Sequence, residues 1–240
     1  MHLITLEMKI FVLGPAGCGK SSFVKVFSDY LKEMGLEVSC INLDPATEPI
    51  FKAEVDVRNY VKTEDVMREY KLGINGGLLK SVDLCLKYVS KLRVERDYVL
   101  YDTPGQMELF IYSYAGRKIV EALSDSSTVA LFLMDSSLIK DSESFLSAVM
   151  QNVIVSLRLS LPTATVLTKC DLADVDIDEL MKGIKEKDSS LAELLERTTF
   201  FMDYTTLSQR IVKISNIKKI GLHDVYSLLH EMFCTCGDVS

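Results

Sequence analysis

The chain has 240 residues, 48% of them hydrophobic, and a formal net charge of −7 at pH 7. This length and apolar fraction suffice for a buried core, whereas the acidic balance argues against a surface that binds nucleic-acid phosphates. The apolar runs are shorter than the roughly 18 residues that a membrane-spanning helix needs, and we expect no leader segment. We therefore expect a cytoplasmic protein with no direct nucleic-acid partner and no membrane partner.

In chain order, six segments rich in β-branched and apolar residues are predicted to be strands. They are KIFVLG (9–14), EVSCINLD (37–44), YVLYD (98–102), TVALFLMD (128–135), TATVLT (163–168) and RIVKIS (210–215). Amphipathic periodicity predicts helices over 20–34, 64–71, 78–92, 106–123, 141–159, 176–186 and 221–233. The connector LGINGGL lies at 72–78, and residues 186–209 fit either a helix or a loop. This alternation predicts one α/β domain over residues 1–240, with a mostly parallel central sheet flanked by helices in three layers.

The six cysteines are scattered among apolar or glycine-rich segments, at Cys18, Cys40, Cys85, Cys170, Cys234 and Cys236. Because they do not form the pattern of a small disulfide framework, most are predicted to be buried free thiols. Cys234 and Cys236 are spaced for metal binding or oxidation, but two ligands in one segment do not complete a four-ligand zinc site.

The first predicted strand leads into GPAGCGKS, which fits the phosphate-binding pattern G-x-x-x-x-G-K-[ST] and is followed by a predicted helix. Its glycines allow backbone N–H groups to converge on one anion without side-chain obstruction. The residues predicted to bind nucleotide here are Gly14, Pro15, Ala16, Gly17, Cys18, Gly19, Lys20, Ser21 and Ser22. We expect Lys20 to reach the β- and γ-phosphates and Ser21 to bind Mg²⁺. The motif predicts a P-loop NTPase fold.

Two acidic residues follow or end other predicted strands, Asp44 in INLDPA and Asp102 in YDTPGQ. In a parallel sheet the carboxyl ends of the strands form the ligand crevice, so these carboxylates are expected to face the bound phosphates and to arrange metal and water. Asp135 has a similar position but lies in no recognised motif. A strand-terminal aspartate is also a common helix cap or turn former, which is the alternative for each residue taken alone.

The segment DTPGQ (102–106) predicts a sharp bend at the phosphate end of the site. There, Gly105 is expected to donate its backbone N–H to a γ-phosphate, and loss of that phosphate would release the following segment. Gln106 follows at once, and an amide side chain is suited to orienting a water molecule for attack.

The segment TKCD predicts the base specificity. A carboxylate at Asp171 can accept hydrogen bonds from the N1 and N2 donors of guanine, which adenine does not supply together. Thr168 and Lys169 precede it, and the aliphatic stem of Lys169 can cover the purine ring. Ser215, at the end of another strand, could meet the guanine oxygen through its side chain or backbone. These nucleotide-binding residues favour GTP over ATP.

Together, the segments GPAGCGKSS, NLDPA, DVR (56–58), GINGG, DTPGQME and TKCD resemble the motif set of the GPN-loop GTPases. The resemblance runs from about Lys9 to Asp171 and resumes in the ending CTCGDVS, which looks like that of archaeal members. It implies a P-loop GTPase domain with a helical insertion at about 56–92 that carries the name-giving loop.

In this family the Gly-Pro-Asn loop reaches across a homodimer interface toward the partner's nucleotide. The resemblance places the loop at Gly73, Ile74 and Asn75, so the Asn75 amide is expected to stabilise phosphate or transition-state charge in the other subunit. Ile74 stands where the family has proline, so the loop lacks a backbone restraint worth about 0.4–1 kcal/mol. The alternative is that NGG is a flexible connector that permits positive φ angles.

The motifs and the resemblance imply a homodimer that hydrolyses GTP to GDP and phosphate with Mg²⁺, as a molecular switch or assembly factor for an unidentified protein client. The predicted catalytic residues are Lys20, Asp44, Asn75, Asp102 and Gln106, and the predicted metal-binding residues are Ser21, Asp44 and Asp102. Two alternatives stay open. One is a P-loop ATPase of the partitioning or metal-insertion type, and the other is a GTP-stabilised chaperone scaffold with negligible turnover.

Overall fold

The computed structural model describes residues 7–173, 175–185 and 211–234 of the chain. Its strands are β1 (Met8–Leu13), β2 (Val38–Asn42), β3 (Val55–Asp56), β4 (Tyr98–Asp102), β5 (Thr128–Asp135), β6 (Thr163–Thr168) and β7 (Val212–Lys213). They form one seven-stranded sheet in the order β3-β2-β4-β1-β5-β6-β7. Every neighbouring pair in this order is parallel.

Helices lie in the connections between the strands, except between β2 and β3, which are joined by the loop 43–54. The described residues form α1 (Lys20–Glu33), α2 (Thr63–Tyr70), α3 (Ile74–Cys85), α4 (Met107–Tyr112), α5 (Tyr114–Leu123), α6 (Ser142–Leu159), α7 (Ile177–Lys185) and α8 (Leu222–Cys234). Short 3₁₀ segments lie at Val57–Asn59, Leu86–Lys91 and Ser136–Leu138. Within the described part of the chain, no helix combines the length and hydropathy needed to cross a membrane.

Alternate residues of the central strands point to opposite faces of the sheet, which gives the molecule three layers. In β1, Phe11 and Leu13 pack into a core with apolar residues of α3, α5 and α6. Ile10 and Val12 face the other side, where α1 and α8 supply the apolar partners. Because both faces are covered, β1, β4 and β5 are buried almost throughout, which accounts for their continuous apolar sequences.

The predicted fold class is confirmed, and all six predicted strands are present, three with the predicted ends and three with shifted ends. The sheet has one further strand, β3, whose two residues are too few to produce a readable alternation. The helix predicted over 78–92 begins earlier, at Ile74, and becomes a 3₁₀ segment from Leu86 onward. The ambiguous stretch 186–209 lies outside the described residues.

The prediction of one helix over 106–123 is wrong, because the helix is interrupted at Ser113. This residue has an extended backbone (φ −71°, ψ 150°), and its hydroxyl donates to the Phe110 carbonyl at 2.9 Å. The same oxygen accepts from the N–H of Gly116 at 2.8 Å and so caps α5. A Cβ on Gly116 would overlap the Phe110 carbonyl oxygen. The helix break therefore depends on a serine cap together with a glycine that permits close approach.

We expect Gly116→Ala to lower the free energy of unfolding by about 1–3 kcal/mol, because the new methyl group meets backbone that cannot move aside. The matched control is Gly76→Ala in α3, where an added Cβ would lie 3.5 Å from a Leu72 methyl group, an ordinary contact. That change should be neutral or stabilising by up to about 1 kcal/mol, because it removes a helical glycine. Urea unfolding of both variants measures the difference, and equal effects would contradict this account of the break.

Candidate nucleotide-binding site

The phosphate-binding motif forms the loop between β1 and α1, at the carboxyl edge of the sheet. Gly14 and Gly19 both have positive φ angles, of 147° and 94°, which L side chains rarely adopt. At Gly14 there is also no space for a side chain, because a Cβ would overlap the Leu133 carbonyl oxygen. The first turn of α1 contains no acidic residue, so the positive end of its dipole is free to attract an anion.

Lys20 is the first residue of α1 and is 6% exposed. Its ammonium group donates to the carbonyl oxygens of Gly14 at 2.7 Å and Pro15 at 3.1 Å. The charge is thus held against the inner side of the loop by neutral acceptors, with no carboxylate bound to it. A phosphate entering the loop offers Lys20 a stronger, charged acceptor at short range.

Ser21 and Asp102 meet at the start of α1, as predicted for a metal-binding pair. The Ser21 hydroxyl donates to Asp102 Oδ2 at 2.6 Å, while the buried Asp102 Oδ1 has no hydrogen-bond partner in the described part of the chain. Burial raises the pKa of Asp102 to about 6, and the charge of Asp44 adds to the rise, against the hydrogen bond from Ser21 and the charge of Lys20. An unpartnered carboxylate oxygen beside a hydroxyl oxygen is a suitable ligand set for Mg²⁺, which prefers hard oxygen donors.

Asp44 lies beyond the end of β2 and is 7% exposed. Its Oδ1 accepts from the N–H of Ala46 at 2.8 Å, and its Oδ2 accepts from the N–H of Gly105 at 3.2 Å. The Gly105 N–H, which we predict to bind a γ-phosphate, therefore donates here to a carboxylate. This hydrogen bond joins the two acidic motifs, so a displacement of one motif also disturbs the other.

Asn42 was not recognised in the sequence, although it fixes the Asp44 loop. The residue is 1% exposed at the end of β2, and its Oδ1 accepts from the N–H of Asp44 at 3.0 Å. Its Nδ2 donates to Asp56 Oδ1 at 2.9 Å, and this same oxygen accepts from the N–H of Arg58 at 2.9 Å. Asn42 thus connects INLD with DVR. An asparagine ending an apolar strand directly before a motif aspartate was the available signal.

Gln106 immediately precedes α4, in the N-cap position. Its side chain is half-buried, and its Oε1 is buried with no hydrogen-bond partner among the described residues. An unpaired buried amide oxygen is costly for a protein to keep, unless a ligand or water uses it. The position beside Gly105 therefore suits the predicted role in orienting water.

The base-recognition segment is tied to the phosphate loop. The Thr168 hydroxyl lies 2.7 Å from the Cys18 carbonyl oxygen and 3.0 Å from that of Met134. The Ser215 hydroxyl donates to Asp171 Oδ1 at 2.5 Å, and this hydrogen bond lowers the pKa of Asp171. The hydrogen bond orients the Asp171 carboxylate, which is the acceptor that recognition of guanine N–H donors requires.

Fewer polar groups of Ser215 are available to contact the base than the sequence predicts, because they already have partners. Its N–H donates to the Ile220 carbonyl at 3.1 Å, and its hydroxyl oxygen also accepts from the N–H of Lys218. Asn216, which the sequence did not reveal, lies beside it, and its Nδ2 donates to the Gly19 carbonyl at 3.3 Å. Its Oδ1 is buried and has no partner within the described ranges. The contact of Ser215 with the base stays a prediction, and Asn216 joins the site.

The predicted GPN-type loop is the start of a helix. Gly73 is the N-cap of α3 with φ −73°, and Ile74 and Asn75 belong to its first turn. The N–H of Gly77 donates to the Gly73 carbonyl at 2.7 Å, and a Cβ on Gly77 would overlap the side chain of Met67 in α2. The alternative of a flexible connector with positive φ angles is therefore wrong.

The helix also replaces the restraint that a proline would give. Ile74 occupies the first helical position, where a proline fits because its missing N–H has no partner there in any case. The helical hydrogen bond across this turn fixes the backbone at Asn75 without it. Ile74 is 68% exposed and Asn75 is exposed beside it, so both point away from the core of this chain.

The cysteines agree with their prediction where they are described. Cys18, Cys40 and Cys85 are buried free thiols, and Cys170 is a half-buried one. The side chain of Cys234 and all of Cys236 lie outside the described residues. Among described side chains, no group of three or more His, Cys, Asp or Glu residues is arranged to hold a metal ion. The metal-binding prediction concerns the oxygens of Ser21, Asp44 and Asp102, and it stays a prediction.

The parallel sheet, the phosphate loop and the acidic strand ends around it define a P-loop nucleoside-triphosphate-binding protein. A family model described as "Conserved hypothetical ATP binding protein" matches residues 12–235. GPN-loop GTPase PAB0955 of Pyrococcus abyssi is 29% identical over 97% of this chain and 100% of its own length. GPN-loop GTPase 3 of Danio rerio is 30% identical over 91% of this chain and 78% of its own.

A solved structure of a member of this family has a similar fold. The crystal structure titled as PAB0955, a GTPase in apo form from Pyrococcus abyssi, superposes with a TM-score of 0.83 at 28% identity, covering 96% of this chain and 99% of that one. The chain belongs to the GPN-loop GTPase family. The resemblance found in the motifs is thereby confirmed.

The raised pKa of Asp102 predicts how replacing this residue affects stability. Folding raises its pKa from 3.8 to about 6, so stability falls as the pH rises toward 6, and the cost is fully present above that value. Without nucleotide and with metal chelated, we expect Asp102→Asn to exceed the wild-type free energy of unfolding by about 1–3 kcal/mol at about pH 7.5, with the advantage shrinking toward pH 4. Urea unfolding across this range tests it, and a variant less stable than wild type near neutrality would contradict it.

Proposed function

We propose that the protein is a homodimeric GTPase, which hydrolyses GTP to GDP and phosphate and acts as a switch or assembly factor for a protein client. One observation carries the proposal: the Asp171 carboxylate, which accepts a hydrogen bond from Ser215, lies on a segment hydrogen-bonded to the phosphate loop through Thr168. A guanine-recognising group and a phosphate-binding loop are thus held at a fixed separation, as a guanine nucleotide requires.

The residues at the phosphate end divide the remaining tasks. Lys20 exchanges its loop carbonyl partners for the β- and γ-phosphates and offsets their charge. Ser21 and Asp102 hold Mg²⁺, which when bound neutralises charge on the phosphate oxygens. Gln106 uses its unpartnered Oε1 to accept a hydrogen bond from the attacking water and so orients it. Asn75 of the neighbouring subunit donates its amide N–H to the phosphate oxygens as charge develops on them.

The hydrogen bond between Gly105 and Asp44 supports a switch. A γ-phosphate that takes the Gly105 N–H replaces Asp44 as its acceptor and leaves Asp44 Oδ2 free for water or metal. Loss of the phosphate restores the original pair. Since Gly105 directly precedes Gln106 and α4, this exchange moves the segment that carries the water-orienting residue.

The exposed side chains support a homodimer near this segment. Tyr112 and Tyr114, beside the break between α4 and α5, are 52% and 66% exposed, and Ile74 is 68% exposed next to Asn75. Large apolar side chains exposed in this way are suited to burial against a second copy of the chain. The same contact would bring Asn75 to the partner's nucleotide.

We expect Gln106→Ala to lower the rate of GTP turnover by about 10–100-fold, because it removes the group that orients the attacking water. Asn75→Ala should lower the rate by less than the loss of an arginine finger does, because an amide stabilises charge less than an arginine. Multiple-turnover phosphate release from purified dimers measures both rates. Unchanged rates in both variants would contradict these roles. Near-zero release by the wild type with tight GTP binding would instead favour the scaffold alternative.

Mixing two impaired variants tests whether Asn75 acts in the partner's site. In a mixed dimer of Lys20→Ala and Asn75→Ala chains, the Asn75→Ala chain keeps its Lys20 and receives an intact Asn75 from its partner. Random mixing should then restore about a quarter of the wild-type activity per chain, since half of the dimers have one complete site. Absence of any restoration in dimers that exchange subunits would show that Asn75 serves its own site.

The ATPase alternative is favoured by the family description, which names ATP. We expect Asp171→Asn to lower GTP affinity by about 30–100-fold, because guanine loses a charged acceptor, and to leave the weak ATP affinity unchanged. Ser215→Ala is the matched control, which keeps the carboxylate and removes only its hydrogen-bond donor, so its effect should be smaller. Direct binding measurements give the affinities of each variant for GTP and ATP. A wild-type chain that binds ATP more tightly than GTP would favour the ATPase alternative.

A further inference from the structure

Asp135, for which the sequence offers no motif, is built into the carboxyl edge of the sheet at the end of β5. Its two carboxylate oxygens have separate partners. Oδ1 accepts from the N–H of Ser137 at 3.0 Å and from its hydroxyl at 2.7 Å, which fixes the plane of the carboxylate. Oδ2 accepts from the Lys169 ammonium at 2.6 Å. Asp135 therefore holds the charged end of a lysine that the base-recognition motif supplies.

The backbone of Lys169 is fixed as firmly as its ammonium group. Lys169 has φ 57°, a left-handed conformation that a non-glycine residue rarely adopts. Before it, Thr168 pairs in register with Asp135 across the two strands. After it, the N–H of Cys170 donates to the Ile214 carbonyl at 3.1 Å. With both ends of the side chain held, the aliphatic stem between them has little freedom left.

The pair lies beside the phosphate loop. The charges of both Lys169 and Asp135 act on the Cys18 thiol of that loop. The Asp135 side chain is 10% exposed and that of Lys169 is 35% exposed. The carboxylate is thus nearly covered while part of the lysine stays open toward solvent, which is the arrangement expected where a ligand covers the stem.

We propose that Asp135 is a positioning residue for the nucleotide, which binds the Lys169 ammonium and thereby holds the lysine's aliphatic stem across the face of the guanine base. This inference rests on the proposed function. Contact with the ring face does not depend on the exocyclic amino group. Loss of this contact therefore weakens the binding of guanine and hypoxanthine nucleotides by the same factor. A defect at Asp171, by contrast, changes the preference between them.

The chain contains a similar pair that serves as a control. At the opposite edge of the sheet, Lys9 Nζ lies 2.5 Å from Asp125 Oδ2, and Asp125 Oδ1 accepts from Ser127 at 2.9 Å and Thr128 at 3.0 Å. In both aspartates, burial raises the pKa, but hydrogen bonds from the lysine and from the following turn outweigh this rise. The pKa of each aspartate is therefore lowered overall. Asp125→Asn thus repeats the chemical change of Asp135→Asn away from the phosphate loop.

The test measures dissociation rates of fluorescent GDP and IDP, since IDP lacks only the exocyclic amino group. For Asp135→Asn we expect both rates to rise by roughly five- to tenfold, the effect of one charge-assisted hydrogen bond, with their ratio unchanged. Asp125→Asn should stay within about twofold of wild type for both. In steady-state GTP turnover, Asp135→Asn should raise KM and leave kcat unchanged.

A double-mutant cycle isolates the contact. Lys169→Met keeps an apolar stem and removes the ammonium group, so adding Asp135→Asn to it should have no further effect on either rate. The inference is overturned if Asp135→Asn acts no more strongly than Asp125→Asn, if its effect persists beside Lys169→Met, or if it alters the ratio of GDP to IDP. A wild-type chain that binds neither nucleotide would instead overturn the proposed function itself.

Discussion

The parallel register of β1 with its two neighbours determines where every group in the site lies. Val12 is aligned with Asp102 of β4, and Leu13 with Phe132 of β5, so the strands end at the same edge. The chain that leaves β1 turns there, and its loop is held against β5 so closely that only a glycine fits at position 14. Because the backbone hydrogen bonds of buried central strands are hard to replace, we expect this alignment to resist local unfolding.

Much of the site could be predicted because its groups follow strands that the sequence reveals. Once the strands are recognised, parallel topology alone brings Lys20, Asp102 and Asp171 to one edge. The boundaries were less predictable, because β3 and β7 have only two residues each and owe their pairing to the sheet beside them. The break at Ser113 was missed for a similar reason, since the close approach that requires Gly116 involves three-dimensional contacts.

The residues that the sequence did not assign to a motif are those that act through other residues. Asn42 binds the neighbouring Asp44 and, across two strands, Asp56, while Asn216 and Asp135 bind the phosphate loop and Lys169 from segments distant in sequence. Their residue types are common in turns, so a local pattern is a weak guide to them, and only Asn42 has one, directly before a motif aspartate. Such partners become visible only when the distances between the loops are known. They are nevertheless needed to keep motif side chains oriented before a ligand arrives.

The start of α3 has a mechanical consequence. Asn75 is on the first turn of a helix, and that helix is seated on α2 where Gly77 leaves room for Met67. Backbone mounted in this way cannot move independently of the helix, as it could on a free loop. Any displacement of the Asn75 backbone toward or away from a neighbouring molecule has to carry the helix pair with it, so its range depends on how the two helices are attached to the sheet.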